Sequence, residues 1–404
     1  MFKKFFFIVG FVILLYTNAT YAEETHFLYK DWYNIAETQL PREKVTAISL
    51  ICDESEPHNY DFTWDMNGKG LKGFIVNDTE VIIHFPDGDK LKAGTFSDGL
   101  FSFYQFEKND DYETGDNGKI IRGVRGEDHM DDDDYYAEFK SSLIYIENLD
   151  LLDTTSVTTM EGMFYGDRKL ESIDVSYFNT RLVTDMRKMF YECESLTSLD
   201  LSVFNTSSVT NMAEMFASCT NLSKLDVSCF NTSNVTDMWR MFYNCKSLTT
   251  VNLSSFDTTN VEDMGNMFKA CSNLQILNLK NFKADRLNSS YEMFEDCENL
   301  SALDLSSFNT KILNDATFMF RKCKNLVGID LSAMDMTYAD IFHIFSLCDK
   351  LKYININDSF AKKLGTSRLD GVWRHIISGQ IYNSKDSNIE KTIFPAGVYE
   401  KIAN

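Results

Sequence analysis

Cysteine is the residue here with the widest choice of chemistry, and seven of the nine cysteines fall in register. Cys193, Cys219, Cys245, Cys271, Cys297 and Cys323 follow one another at 26-residue intervals, and Cys348 follows after 25. A thiol can form a disulfide in an exported protein, ligate a metal, or pack as a small hydrophobe. A disulfide needs Cα atoms within about 7 Å, whereas units separated by packed helices stand about 8–10 Å apart. Zinc needs about four convergent ligands, and one cysteine per unit does not supply them. The column shares its phase with apolar residues, so the expectation is a row of buried, unlinked thiols. Cys52 and Cys229 lie outside the column, and a bridge involving either stays open.

The second candidate is acidic. Asp174, Asp200, Asp226, Asn252, Asn278, Asp304, Asp330 and Asn355 occupy one position of the repeat. On neighbouring strands about 4.8 Å apart, two bare carboxylates repel by about 1 kcal/mol in water. The row must therefore be hydrogen-bonded to the flanking serines (Ser176, Ser202, Ser228, Ser254, Ser306, Ser332), or be matched by cations or a basic partner. The expectation is a row that serves the repeat itself. Asp131–Asp134, with Glu127 and Asp128, lack the glycine and closing glutamate of a calcium loop and read as a solvated loop. The six histidines sit in no metal or nucleophile motif, and no phosphate loop, dinucleotide fingerprint or nucleophile elbow is present. The chain is thus expected to be no enzyme and to need no cofactor or metal. Asn-x-Ser/Thr sites such as Asn205 and Asn231 arise from the repeat and matter only in a glycosylating host.

The elements that carry these columns follow from the repeat. Phe164, Phe190, Phe216, Phe242, Phe268, Phe294 and Phe320 are 26 residues apart, Phe345 follows after 25, and a leucine stands six residues after each, from Leu170 to Leu351. In one unit, Leu196, Leu199 and Leu201 give the pattern L-x-x-L-x-L of a leucine-rich repeat. Ser198, Asp200 and Ser202 alternate with them, as in a strand buried on one face. Phe204-Asn205-Thr206 turns the chain, and Ser207 or Ser208 is placed to cap a helix lined by Val209, Met212, Met215 and Phe216. These features predict an α/β fold: a curved leucine-rich-repeat solenoid of 26-residue strand-turn-helix units with a parallel concave sheet. Helices are wider than strands, so the stack is expected to arc with the strands inside. No unit buries its apolar face alone, so the units share one core and need caps.

Candidate binding residues are those where rungs depart from the repeat. On the concave face the first exposed column runs Ser172, Ser198, Lys224, Thr250, Ile276, Ala302, Gly328 and Tyr353. The serine column breaks at Lys280 and Asn357. Ile276, Asn278 and Lys280 therefore make an apolar-basic break in a surface of Asp200, Asp226, Asp304 and Asp330, and Tyr353 adds an aromatic. Exposed aromatics and isolated apolar residues are common hot-spot types. A rival site lies on the convex face, where Trp239, Tyr291 and Phe342 share a helix column.

The flanks frame this solenoid. Lys3 and Lys4, the apolar stretch Phe5–Tyr16 and the small residues to Ala22 read as a signal peptide cleaved after Ala22, the stretch being shorter than the roughly 20 residues of a membrane span. Residues 23–148 are expected to form a β-rich domain and cap, with strands at Val45–Ile51, Phe74–Val76 and Val81–Phe85 and hairpins at Asn67-Gly68, Asp87-Gly88 and Asn117-Gly118. The solenoid of about eight units is expected over 149–357, and a small C-terminal cap of one or two strands over 358–404. No transmembrane anchor is expected in the mature chain. The net charge of −21 argues against a nucleic-acid partner, which needs clustered Lys and Arg.

The run Leu199-Asp200-Leu201-Ser202-Val203-Phe204-Asn205-Thr206, then Val209-Thr210-Asn211-Met212, Met215-Phe216, Cys219 and Leu222, resembles the BspA-like leucine-rich-repeat proteins of bacteria. The resemblance covers residues 150 to 356, and more loosely Lys72-Gly73-Phe74-Ile75 and Ala396-Gly397-Val398-Tyr399. It implies a secreted or surface-exposed protein, with adhesion to host proteins among the family's roles, and an extracellular or cell-surface protein as partner. The alternative is a self-associating surface or spacer protein.

Overall fold

The computed structural model describes residues 143–364, 369, 371–383 and 394–403, together with strands between residues 47 and 92. The signal-peptide, Asp131–Asp134, Asp87-Gly88 and Asn117-Gly118 readings lie outside the described residues.

Alternation of apolar and polar residues gives most units one short strand; the units around residues 173–175 and 250–253 lack one, so the expected parallel sheet is broken into short pairs. Leu199 and Leu201 are buried while Ser198, Asp200 and Ser202 face solvent. Strand β8 (Ser198–Leu199) pairs in parallel with β9 (Lys224–Leu225), β10 (Ile276–Asn278) with β11 (Ala302–Asp304), and β12 (Gly328–Asp330) with β13 (Tyr353–Ile356). Equivalent residues of successive units lie opposite one another, for instance Ile276 beside Ala302. The unit is therefore a rung, and the solenoid is a stack of rungs.

The predicted helix is absent, and the α/β assignment is corrected here. From Met212 to Cys219 the chain forms successive β-turns. Met215, Ala217 and Cys219 donate their N–H groups back three residues, to the carbonyls of Met212, Glu214 and Phe216 at 3.3, 3.1 and 3.2 Å. Met212, Glu214, Phe216 and Ser218 instead donate to the next rung, to Asp237, Trp239, Met241 and Tyr243 at 3.0, 2.8, 3.0 and 2.7 Å. The third residue of alternate turns is left-handed, with φ of 59° at both Glu214 and Ser218, as in type II turns. The same pattern recurs at Lys188 and Glu192, Arg240 and Asn244, Asn266 and Ala270, Glu292 and Asp296, and Phe318 and Lys322. Among the described residues the only α-helical segment is α1 (Asp358–Ala361).

Two further expectations change with this. Ser207 and Ser208 cap no helix: the Ser207 N–H donates to Asn205 Oδ1 at 3.0 Å, and the Ser208 hydroxyl donates to the Arg181 carbonyl. Cross-rung backbone hydrogen bonds now tie the turn side as closely as the strand side, so wide helices no longer force an arc. The two sides are called here the strand face and the turn face.

Between them lies one continuous core. The Met and Phe columns are fully buried, together with Val209, Leu222 and their equivalents. The phenylalanine rings stack rung on rung, at 5.8 Å for Phe190–Phe216, 5.7 Å for Phe216–Phe242 and 5.4 Å for Phe242–Phe268. That spacing is well short of the about 8–10 Å between packed helices, and it is the packing counterpart of the turn ladder. Burial of each ring contributes about 1.5–3 kcal/mol.

A buried threonine column closes the corner after the strand. Thr206 Oγ1 donates to the Asn231 carbonyl at 2.9 Å and accepts the Asn231 N–H at 2.8 Å. Thr180, Thr232 and Thr258 treat the following rung in the same way. One hydroxyl thus satisfies both backbone groups of a residue in the next rung.

Both ends run into other sheets. β1 (Ala47–Cys52), β2 (Phe62–Met66), β3 (Lys69–Val76), β4 (Glu80–Phe85) and β6 (Tyr145–Glu147) form a sheet ordered β2-β3-β4-β1-β6, in which β1 runs parallel to β4 and β6. β2 and β3 are antiparallel, with Met66 opposite Lys69; Asn67-Gly68 itself lies outside the described residues. β5 (Leu91–Lys92) pairs with β7 (Leu152–Asp153). At the other end β13 pairs antiparallel with β16 (Gly397–Ala403), which is followed in the sheet by β14 (Val372–His375) and β15 (Ile381–Asn383). The C-terminal segment thus adds three strands, where one or two were expected, plus α1, whose first turn is capped by Asn357 Oδ1 accepting from the Phe360 N–H at 3.1 Å.

Candidate functional site

The acidic row stands on the strand face where the chain leaves each strand. Its first task is local. Asp200, Asp226, Asp304 and Asp330 accept through Oδ1 from the N–H of Ser202, Ser228, Ser306 and Ser332 at 2.9, 2.9, 3.0 and 2.8 Å. Asn252 and Asn278 do the same for Ser254 and Lys280, at 3.1 and 3.2 Å. Asp and Asn are the types that form this side-chain turn. The hydrogen bonding expected from serine is present, with its backbone N–H as the recurring donor; the Ser332 hydroxyl also donates to Asp330 Oδ1 at 2.6 Å.

These bonds favour the charged form. The N–H and then the hydroxyl of Ser202 hold the Asp200 carboxyl below the usual range, and Ser228 does so for Asp226. For Asp174 and Asp304 the serine hydroxyl leads and the N–H follows. Partial burial works to raise Asp330, but the Ser332 and Asn355 hydrogen bonds outweigh it and its pKa is lowered. The strand face therefore carries ionised carboxylates whose orientation is fixed by the backbone.

The break in this surface lies where the sequence places it. Ile276 is 64% exposed and Tyr353 43% exposed. Asn278 is spent on its turn, and Lys280 reaches toward Asp304 Oδ2 at 3.9 Å. Ile276 lies beside Ala302, so Ile276, Asn278, Lys280 and Asp304 share two adjacent rungs. Tyr353 lies two rungs beyond Asp304, beside Gly328.

The turn-face candidates are engaged in packing. Trp239 is half-buried beneath the Arg240 guanidinium, 4.3 Å from its ring centre, and its backbone N–H donates to Asp237 Oδ1 at 2.9 Å. Tyr291 meets Phe318 edge-on at 6.4 Å. Phe342 meets the same ring edge-on at 5.8 Å and remains 45% exposed. The left-handed turns place these three in one column without any helix.

The cysteine column is buried and unlinked, and Cys229, exposed on the flank, is also free. The reason differs from helix spacing, because the rungs stand closer than helices would. Each thiol is directed instead at a backbone carbonyl of the preceding rung: Cys193 to Phe164, Cys219 to Phe190 and Cys245 to Phe216, all at 3.1 Å. Burial pushes these thiols up, Cys245 to about 12, which keeps them protonated and unreactive. Among the described residues no group of three or more His, Cys, Asp or Glu stands where it could hold a metal ion, and no helix is long and apolar enough to cross a membrane.

A second row of side-chain turns was missed in the sequence. Asp185, Asn211, Asp237, Asp263, Asp315 and Asp340 each accept from the N–H two residues on, at 2.7–2.9 Å, where the chain enters the turn ladder. Burial raises the pKa of Asp185 and Asp315, opposite to the strand-face row. The recurrence of Asp or Asn just before Met was the available signal.

None of the curated proteins searched matches the chain. Among solved structures, one titled "Crystal structure of TLR13-ssRNA13 complex" is similar at 17% identity over 53% of this chain, with a TM-score of 0.22. This chain spans 33% of the length of that one. The family model described as "Mycoplasma protein of unknown function, DUF285" matches residues 134–250 and again 219–334, so the stacked rungs are where this chain is similar to that family.

Proposed function

We propose that this chain is an exported or surface-exposed binding protein, of the kind its resemblance to BspA-like proteins implies, and that its strand face engages an extracellular or cell-surface protein. One observation carries the reading. The Asp/Asn, Thr, Met, Phe and Cys columns are all consumed by backbone capping or core packing, while the column through Lys224, Ile276, Ala302, Gly328 and Tyr353 is outward-facing and varies from rung to rung. A rigid frame with an outward-facing column that varies suits recognition, and its ionised aspartates favour a basic patch on the partner. Nothing in this surface assembles a nucleophile with a base, so binding and not catalysis is the reading. The solenoid proposed for 149–357 holds the surface, with 23–148 and 358–404 as its caps and 1–22 as the export signal.

The test is a pull-down of extracellular and cell-surface proteins on the purified chain, followed by affinity measurements on four variants. Ile276→Asp and Lys280→Glu should each weaken binding at least tenfold. Trp239→Ala and Phe342→Ala should leave it within about twofold, as near-neutral contacts do. Loss confined to the last pair, with folding intact, would move the site to the turn face.

A further inference from the structure

The chain is electrically lopsided. Residues 350–404 hold nine Lys and Arg against five Asp and Glu, although the whole chain carries −21. Part of that positive surplus surrounds an open groove of about 460 Å³ at the C-terminal end of the stack. The groove lies where the loop entering the last rung meets the end of β16. Its apolar lining is Val327, Leu351 and Ile402, and Lys350, Lys352 and Lys401 stand around it, with Asp349 alongside. Val327 and Ile402 are 43% and 46% exposed. The walls are tied together by backbone: the Lys352 N–H donates to the Val327 carbonyl and the Lys401 N–H to the Lys352 carbonyl, both at 2.8 Å.

Elsewhere on the solenoid many basic side chains meet carboxylates, although among the described residues Arg181, Lys224, Lys246 and Lys283 do not. Lys269 pairs with Glu292 at 2.6 Å, Lys311 with Asp285 at 2.6 Å, Arg321 with Glu295 at 3.0 Å and Lys324 with Glu298 at 2.7 Å. Among the described residues, none of the three groove lysines has a carboxylate within ion-pairing distance. Lys350 donates to the neutral Asn325 Oδ1 at 2.7 Å, and Lys401 lies over the Trp373 ring at 5.8 Å. Three like charges around an apolar trough repel one another and gain most from an anionic occupant. The volume falls in the roughly 300–1,000 Å³ range of small-molecule sites, enough for a few side chains of a peptide.

We infer that this groove binds a segment of an acidic polypeptide, seating apolar side chains on Val327 and Ile402 and carboxylates on Lys350, Lys352 and Lys401. The site is separate from the strand-face column and stands or falls independently of it. The experiment uses the full chain and fluorescence anisotropy with labelled hexapeptides. The probe is Glu-Glu-Leu-Leu-Glu-Glu; the controls replace Glu by Lys, or Leu by Ser. The probe should bind at least tenfold tighter than either control and weaken as salt rises. Lys352→Glu and Ile402→Glu should each weaken it at least tenfold with thermal unfolding unchanged. Equal binding of the lysine peptide, or binding unaffected by both variants, overturns the assignment. Sedimentation velocity on the same proteins decides the occupant: self-association abolished by Lys352→Glu would make it a second copy and overturn the assignment to a separate polypeptide.

Discussion

Replacing Thr232 by valine keeps the shape of the side chain and removes only its hydroxyl. That hydroxyl is fully buried, donates to the Asp257 carbonyl at 2.9 Å and accepts the Asp257 N–H at 2.8 Å. The substitution deletes two hydrogen bonds, each contributing about 1 kcal/mol net, and leaves backbone groups to find other partners at about 1–3 kcal/mol for each one orphaned. The protein itself shows the least costly accommodation. Where Ala284 interrupts the column, the Asn309 N–H donates to the Ser307 carbonyl of its own rung at 2.9 Å. A similar shift at Asp257 would recover one donor but not the carbonyl's partner, so the expected loss is about 2–3 kcal/mol. Thr232→Ser keeps the hydroxyl and loses one methyl group, costing about 1 kcal/mol. Equilibrium urea unfolding measures both. A valine variant as stable as the serine variant, or within about 0.5 kcal/mol of the parent, would refute the claim that this column holds the rungs together.

Ala270 sits at φ 62°, where a side chain costs roughly 1–2 kcal/mol and glycine gives back about 0.5–1 kcal/mol in chain entropy; Ala270→Gly should therefore stabilise by about 0.5–1 kcal/mol in urea unfolding, whereas a helix there would make it destabilising by about 1 kcal/mol. The seven column cysteines should resist a thiol reagent in the native protein and all react once it is denatured without reductant; mass spectrometry finding Cys193 joined to Cys219 would contradict this. Asp200 and Asp226 should titrate below the usual carboxyl value of about 3.9, and Asp185 and Asp315 above it. Asp200 and Asp226, whose pKa values are lowered, contribute stability that is present above the unfolded value and lost as pH falls through the folded one. Asp185 and Asp315, raised by burial, contribute stability that is present below the unfolded value and lost as pH climbs through the folded one. Carbon-detected NMR of the carboxyl groups reads both rows, and coincident titration would show that their environments are wrongly described.

The stack of rungs, its columns and its buried faces were legible because a 26-residue register leaves few other ways to bury Leu, Phe and Met together. The turn ladder was not legible from the same pattern. Val209, Met212, Met215 and Phe216 fit one face of a helix and fit equally the inward positions of successive turns. The discriminating signal was weaker: Gly162, Gly166, Asn244 and Asn266 fall at the left-handed positions, which favour these types, but charged, apolar and other types without that preference fill the rest of the same columns. The threonine column was hidden because its partners lie a rung away, and a hydroxyl reads as polar in any exposure pattern. The exposed break at Ile276 and Lys280 was visible because it departs from a constant background. The lysine groove was not, since it joins residues from three separated stretches of chain.

The central claim is that backbone hydrogen bonds tie the rungs together on the turn face as well as the strand face. Through-hydrogen-bond scalar coupling between amide nitrogen and carbonyl carbon tests it directly at Phe216. The account predicts coupling from the Phe216 N–H to the Met241 carbonyl in the next rung, the pair that stands 3.0 Å apart. Coupling from Phe216 to the Met212 carbonyl, four residues back as in an α-helix, would contradict it.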